Sequence, residues 1–403
     1  MRVPLASSGL RSQDIDAAIA VLQSGNLTMG KKVAEFESLM ANYLKVDHFV
    51  MMNSGSSANL AIFEALMRPS KGEAILRRGD GVLVPAIAWP TTIWPVVQLG
   101  LTPVFVDVNR DTLALDLKAA SGALKSTKAP VSAIFPIHPL GLALDSESFH
   151  KFADEHHLTY ISDACESLGS FENGAHAGVT GLAASFSFYF SHHITTMEGG
   201  GVATNNQFLA DDLRSIRSHG WSRDRSDVSD WTNQISETDA KFRFVTTGYN
   251  IRPMEIQAAI GINQIKDIDS FVLKRRNIAL QVIEALHGTD LSVIGTKNGK
   301  YGYEDHANSW MLIPLRVAGE NPRMRKKEIL QKLETFGVET RPVLTGNFLS
   351  QPAMNRIDGN HLPPTAFPIA TEITDTSFLV GAHHDLTEDQ ILHLCNSLRE
   401  AQF

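Results

Sequence analysis

Asn53-Ser-Gly-Ser-Ser-Ala-Asn59 is a run of small, mostly polar residues that follows an apolar segment and opens a helical one. Small side chains let a backbone approach an anion, and the free N–H groups and dipole of a helix start can hold it. Taken alone, the run also reads as an ordinary Ser/Gly helix cap. Tyr160-Ile-Ser-Asp-Ala-Cys-Glu-Ser-Leu-Gly169 puts Asp163 at the end of an apolar run. A carboxylate there can hold a proton on a pyridine-type nitrogen and make the ring an electron sink. Alone, an N-cap explains it as well. The third stretch is Ser185-Phe-Ser-Phe-Tyr-Phe-Ser-His-His-Ile-Thr-Thr-Met-Glu-Gly-Gly-Gly201. It is an apolar strand, a polar turn and a triple glycine. Imidazole moves protons near neutrality, with an unperturbed pKa of about 6.5. His192 and His193 are adjacent, and on a strand adjacent side chains point to opposite faces. Joint metal chelation is disfavoured, and neither histidine has the His-Glu-x-x-His spacing of a zinc helix. We therefore expect no metal.

The elements that must position these residues follow a regular alternation. Apolar runs at 48–52, 81–86, 103–108, 131–137, 159–163, 184–190 and 201–204 are rich in Val, Ile and Phe. Helix-like stretches such as 58–67, 146–156 and 207–219 separate most of them. This pattern predicts an α/β fold with a mostly parallel central sheet covered on both faces. Ligands in such folds sit at the carboxyl ends of strands. After Tyr249 the texture changes. A helix is expected over 253–265 with Pro253 in its first turn, a longer one over 267–286, strands at 308–317 and 338–343, and a helix at 325–336. We expect a large domain over 1–254 and a smaller α+β C-terminal domain over 255–403.

Composition narrows the function. The 403 residues are 43% hydrophobic, enough for a large core. The formal net charge of -8 argues against a nucleic-acid surface. The apolar stretch 81–99 is interrupted by Pro85, Pro90 and Pro95 and predicts no membrane span. The start, Met1-Arg-Val-Pro-Leu-Ala, lacks a signal-peptide apolar run, so a cytoplasmic protein is expected. Two cysteines, Cys165 and Cys395, cannot supply the four thiolates of an ordinary iron–sulfur cluster.

The third stretch resembles the segment that carries the Schiff-base lysine in sugar aminotransferases of the DegT/DnrJ/EryC1/StrS family. Those proteins show a Ser-Phe strand, then Lys, then Asn-Ile-Thr-Thr and Glu-Gly-Gly. Here His192 stands at the lysine position and His193 at the asparagine position. That substitution resembles the family's sugar 3-dehydratases, which use pyridoxamine phosphate. One branch acts on CDP-4-keto-6-deoxyglucose with an iron–sulfur cluster, which the cysteine count excludes here. The other acts on GDP-4-keto-6-deoxymannose, on the way to colitose, without a cluster. Likeness to the second branch extends over nearly the whole chain. It includes His219-Gly-Trp-Ser-Arg-Asp224, Phe244-Val-Thr-Thr-Gly-Tyr-Asn-Ile-Arg-Pro253, Arg341-Pro-Val-Leu-Thr-Gly-Asn-Phe348 and Val380-Gly-Ala-His-His-Asp385.

The resemblance implies a fold-type I, aspartate aminotransferase-like architecture and a pyridoxal or pyridoxamine 5'-phosphate cofactor. It implies that His192 is catalytic, taking a proton from the cofactor's C4′ carbon and protonating the departing C3 hydroxyl. Gly55, Ser56 and Ser187 would bind the phosphate, Trp89 would stack on the ring, Asp163 would meet its nitrogen and Glu166 would lie near its substituents. Asn250 would reach the phosphate of a neighbouring subunit, implying a homodimer with shared sites. His219, Arg223 and Arg341 would contact the nucleotide-sugar substrate or the amino donor, L-glutamate; Arg252 is a further candidate. Taken as residues alone, Trp89 is as well explained as core, Asn250 as a turn residue, and Arg252 and Arg341 as surface ion-pair partners. Lys31 and Lys32 read as solvated. His383 and His384 are expected to line the site. Two other readings stay open: a pyridoxal-phosphate-dependent nucleotide-sugar aminotransferase, which would need some lysine or other base for the proton transfer, and a cofactor-binding regulatory protein without catalysis.

Overall fold

A computed structural model describes residues 1–172, 174–296, 308–357 and 362–403. Strands β1 (His48–Met52), β2 (Gly81–Pro85), β3 (Thr102–Val106) and β4 (Val131–Ile134) alternate with helices, as the apolar runs predict. β5 (Thr159–Tyr160) and β6 (Ser162–Asp163) are two halves of one extended segment. The first half pairs with β4. The second half pairs with β9 (Ala184–Ser187). Before β9 lies a short hairpin, β7 (Phe171–Glu172) with β8 (Ala175–His176), that the sequence reading did not anticipate. The Ile161 N–H donates to Ile134 and the Ser162 N–H to Ala183. The segment therefore sews the four-stranded sets β3-β2-β4-β5 and β1-β10-β9-β6 into one surface, with β10 spanning Gly200–Thr204. β10 is antiparallel to both its neighbours. The sheet is otherwise parallel in its β2–β3, β2–β4, β4–β5 and β6–β9 pairs.

The expected strand over 184–190 stops at Ser187 because the chain closes into a turn. The Phe188 N–H donates to Gly199, the Thr196 N–H to Phe188 and the His192 N–H to Tyr189. The triple glycine has a packing cause. A Cβ at Gly200 would lie 2.3 Å from the Gly55 nitrogen, and one at Gly201 would lie 2.4 Å from the Phe49 ring. Only bare backbone lets β10 pass under the start of helix Gly55–Met67.

A second sheet, β11 (Leu291–Val293), β12 (Leu312–Val317), β14 (Ser377–Gly381) and β13 (Thr340–Arg341), is antiparallel throughout. Helices Pro322–Thr335 and Pro368–Thr376 pack on it. Helix Glu255–Gln264 instead packs on the N-terminal helices Ser12–Ser24 and Lys31–Leu44. One apolar cluster runs through both sheets, from Val50 and Ile62 to Leu315 and Leu379. We propose the two sheet types as the marks of two domains, with the change falling in the helices that follow residue 254. Pro253 precedes that first helix rather than opening it: Met254 is the N-cap, and its N–H is held by the Gln257 side chain at 2.8 Å.

Glu255, buried at the start of that helix, caps another one. Its carboxylate accepts from the backbone N–H groups of Gly30, Lys32 and Val33, each at 2.9 Å. Three orphan donors of helix Lys31–Leu44 are thereby satisfied by a negative charge at the positive end of the helix dipole. Glu255→Ala should lower the unfolding free energy by about 1–2 kcal/mol, read as a shifted midpoint in urea; an unchanged midpoint would contradict this capping.

Candidate functional site

A cavity of about 260 Å³ opens at the carboxyl ends of the large sheet's strands. It is slightly smaller than the ~300 Å³ lower end of common ligand pockets. Gly55, Ser56, Trp89, Asp163, Glu166, Ser187, His192 and Arg341 all line it. They arrive from five segments: the helix start at Gly55 and Ser56, Trp89, the β6 end with Asp163 and Glu166, the β9 end and turn with Ser187 and His192, and Arg341.

Asp163 ends β6 with its side chain almost enclosed. Its Oδ2 accepts from Asn59 Nδ2 and Thr92 Oγ1, both at 2.8 Å, and its Oδ1 accepts from the Cys165 N–H at 3.1 Å. Three donors fix the carboxylate's orientation. Asn59 and Thr92 were not singled out from the sequence. Asn59 sits one helical turn beyond Gly55, a spacing that puts both on one face.

The start of helix Gly55–Met67 forms another wall. Ser54 caps it, accepting from the Ser57 N–H at 3.1 Å. A Cβ at Gly55 would come within 2.6 Å of the Ser187 Cβ and 2.8 Å of the Cys165 sulfur. The glycine is therefore the condition for Ser187 and the helix N-terminus to meet. Their donors and the helix dipole suit an anion. Trp89 caps helix Pro90–Gln98 and is 51% exposed. An indole left open at a cavity wall offers a flat apolar face to a planar ligand.

Opposite lies His192. Its ring meets Tyr189 edge-on at 5.9 Å, and among the described residues its Nδ1 has no hydrogen-bond partner. Burial, with the charges of Arg341 and Arg275 nearby, pushes its pKa down to about 3. The imidazole is therefore neutral at neutral pH. His193 turns away into the core, as expected, although the pair lies on a turn rather than a strand. Arg341 reaches in from β13 of the second sheet. Its Nη2 lies 3.9 Å from Glu166, and its Nε lacks a partner among the described residues. Glu166 accepts from the Leu140 N–H at 2.8 Å; burial raises its pKa against the pull of Arg341. His138 also lines the cavity, with neither ring nitrogen partnered among the described residues. Among the described residues no lysine lines the cavity.

A second, shallower groove holds Arg223, Asn250 and Arg252 with Trp221, Asp224, Thr28 and Met29. It shares Ser54 and Glu198 with the first cavity. Arg223 stacks over Trp221 at 4.1 Å, and Arg252 Nε donates to Asn250 Oδ1 at 3.1 Å. His219 lies beside the groove with its ring edge-on to Trp221 at 5.5 Å. The structure thus does not bring His219, Arg223 or Asn250 to the His192 cavity within one chain. Nor does it bring His383 and His384 there. His383 meets the Pro4 carbonyl at 3.2 Å, and His384 stacks on Phe271 at 3.9 Å. The adjacent-histidine signal reflected core packing there. Lys32 pairs with Glu35 on the surface.

Parallel strands sewn to an antiparallel pair, a helix start facing a strand-end aspartate, and a second sheet lending an arginine define the aminotransferase-fold class. The profile of the DegT/DnrJ/EryC1/StrS aminotransferase family matches residues 9–399, and the chain belongs to that family. It is 36% identical to a GDP-4-keto-6-deoxy-D-mannose 3-dehydratase of Yersinia pseudotuberculosis, over 98% of each chain. Among solved structures it superposes on the Escherichia coli GDP-4-keto-6-deoxy-D-mannose-3-dehydratase with bound hydrated PLP, at TM-score 0.89 and 31% identity over 99% of each chain. A GDP-4-keto-6-deoxymannose-3-dehydratase with a trapped PLP-glutamate geminal diamine gives TM-score 0.89 and 31% identity, covering 98% of this chain and 100% of that one. The fold is the expected aspartate aminotransferase-like one. Among the described residues no helix is long and apolar enough to cross a membrane.

Burial pushes His138 and His192 down to about 3 and His176 and His384 to about 4. In the unfolded chain each protonates near ~6.5, so unfolding takes up protons as pH falls. Their contribution is complete above roughly pH 6.5 and is lost between there and about pH 3–4. The melting temperature of protein without added ligand should fall steeply from pH 6.5 to pH 4.5; a flat profile would contradict neutral burial of these rings.

Proposed function

We propose that this protein removes the C3 hydroxyl from a nucleotide-linked 4-keto-6-deoxyhexose, with GDP-4-keto-6-deoxy-D-mannose as the substrate, giving a 4-keto-3,6-dideoxy sugar. Pyridoxamine phosphate is the working cofactor, and L-glutamate restores it. The observation that carries this reading is an imidazole, with no lysine beside it among the described residues, in a cavity otherwise equipped for a phosphorylated pyridine. The choice of substrate rests on the relatives, as does that of glutamate.

The residues present fit the cofactor. Ser56 and Ser187, with the bare N-terminus at Gly55, would hold its phosphate. Trp89 would cover a ring face, Asp163 would keep the ring nitrogen protonated, and Glu166 would lie near the ring's substituents. Bound there, pyridoxamine phosphate supplies an amine that condenses with the sugar ketone and a ring that accepts electrons. His192 cannot form an imine, so its work is confined to protons. Its neutral ring takes the proton from the carbon bearing the amine and returns one to the C3 oxygen as that oxygen leaves. Arg341, with an unpartnered Nε, offers a charged donor to the substrate or to the glutamate carboxylate.

Asn250, His219 and Arg223 complete the neighbouring protomer's site in a homodimer. This accounts for their separation from His192 within one chain and for the exposed Trp89, Tyr189 and Phe190 at the cavity's side. A cytoplasmic location belongs to the same reading, in keeping with the free thiols Cys165 and Cys395.

With substrate, pyridoxal phosphate and glutamate, the protein should release ammonia and a sugar lighter by the C3 oxygen, in equal amounts. His192→Asn should reduce this by at least the ~10²–10⁴-fold typical of a lost proton-transfer group, with the fold intact by circular dichroism. Nitrogen retained on the sugar would point to transamination, and unaltered turnover in His192→Asn would remove the histidine from the chemistry.

A further inference from the structure

Arg275 is 1% exposed, on helix Ile268–Ala285, and makes no ion pair with any described residue. Its guanidinium is spent on backbone carbonyls. Nη1 donates to Met311 at 2.9 Å and to Trp310 at 3.4 Å. Nη2 donates to the carbonyl of His192 itself at 3.1 Å. Met311 also lines the cavity, and Trp310 and Met311 lead directly into β12. One buried cation therefore touches the helix that carries it, the entrance to the second sheet, and the turn that presents the imidazole.

Such an arrangement is costly to keep for packing alone. A buried charge that contacts no carboxylate, with Asp385 acting on it only from a distance, forfeits its hydration, and carbonyl dipoles return only part of it. An apolar residue of similar length would fill the same space without that loss. What the guanidinium adds is a planar fork whose two ends reach different chain segments. Tyr189 fixes the His192 N–H, and Arg275 fixes its C=O. Both peptide groups flanking the Cα of His192 are thus anchored, which leaves side-chain rotation as the ring's main freedom.

Resting on the dehydratase reading, we propose that Arg275 is a positioning residue: it clamps the His192 turn to the second sheet and so aims the imidazole into the cavity. Arg275 touches neither cavity nor substrate; it acts through His192. Its charge has a second consequence. The titratable groups lining the cavity with His192 are Arg341 from β13, Asp163, Cys165 and Glu166 from the segment at β6, Tyr189 from the turn, His138 from the loop after β4, and Glu198; behind it, His193 lies on the core side and Asp385 acts on Arg275. Against these, Arg275 adds a fixed positive charge behind His192 that, with burial and Arg341, disfavours imidazolium. It does the same to His193, His383 and His384.

The test compares Arg275→Met, which removes fork and charge, with Arg275→Lys, which keeps the charge but loses the fork. Two readouts are needed. The first is the His192 titration, followed by NMR of ¹⁵N-histidine-labelled protein without substrate and assigned by its loss in His192→Asn. The second is kcat and KM for ammonia release. In Arg275→Met the His192 titration should rise, while burial and Arg341 still hold it below its ordinary value, and kcat should fall about 10²-fold, the scale of an ångström of misplacement, with KM nearly unchanged. Arg275→Lys should keep the low titration yet lose much of kcat. Should Arg275→Met fail to fold, Arg275→Lys decides alone: a folded Arg275→Lys protein with wild-type kcat overturns the proposal. So does an unmoved titration with unchanged kcat in Arg275→Met. Wild type that releases no ammonia, while the titration still moves in Arg275→Met, would overturn the dehydratase reading and leave the Arg275–His192 link standing.

Discussion

A cavity to which the described residues bring no amine side chain must hold an aldehyde- or amine-bearing ring by noncovalent contacts alone. Where a lysine would form a covalent imine, His192 offers only a lone pair and a proton. Affinity must then come from the helix start at Gly55, the aspartate at the end of β6 and an aromatic wall. Each depends on the packing beneath it. Gly200 lets β10 pass under the helix N-terminus, Gly55 lets Ser187 and Cys165 approach it, and Asn59 and Thr92 keep Asp163 in one orientation.

The two sheets meet in this cavity. The large sheet supplies the helix start at Gly55, Asp163 and the His192 turn. The second sheet supplies Arg341 and, through Met311 and Trp310, the carbonyls that Arg275 ties to His192. The apolar cluster common to both sheets sets how closely those contributions approach. His192 and Arg341 thus line one cavity that neither sheet forms alone.

Much of this was legible in the sequence because it rests on local periodicity. Short Val/Ile/Phe runs predicted all seven stretches of the large sheet, and the turn after β9 was visible as a polar break before three glycines. The eight site residues that gather around one cavity came from the family resemblance rather than from periodicity. The remainder is nonlocal. Asn59 and Thr92 act only because a helix face and a helix start converge on Asp163. Arg275 looks like any charged residue of an amphipathic helix until the chain folds around it. His383-His384 looked like a second functional pair, yet stacking on Phe271 and a bond to Pro4 account for them. The hairpin β7–β8 and strands β11 and β14 are short or carry no alternation that separates them from loops. Arg223 and Asn250 sit in a second groove with His219 beside it; the family resemblance sent Asn250 to a neighbouring subunit, but nothing in one chain's sequence said which protomer's cavity His219 and Arg223 serve.

The central claim is that the cofactor is bound here without a covalent tether. It is tested most directly by reducing the protein with borohydride in the presence of pyridoxal phosphate, then weighing it intact and mapping its peptides. The account predicts unmodified mass for the folded protein at stoichiometric cofactor, with the reduced cofactor washing away. A stoichiometric pyridoxyl-lysine adduct in a peptide that contributes to the cavity would contradict it.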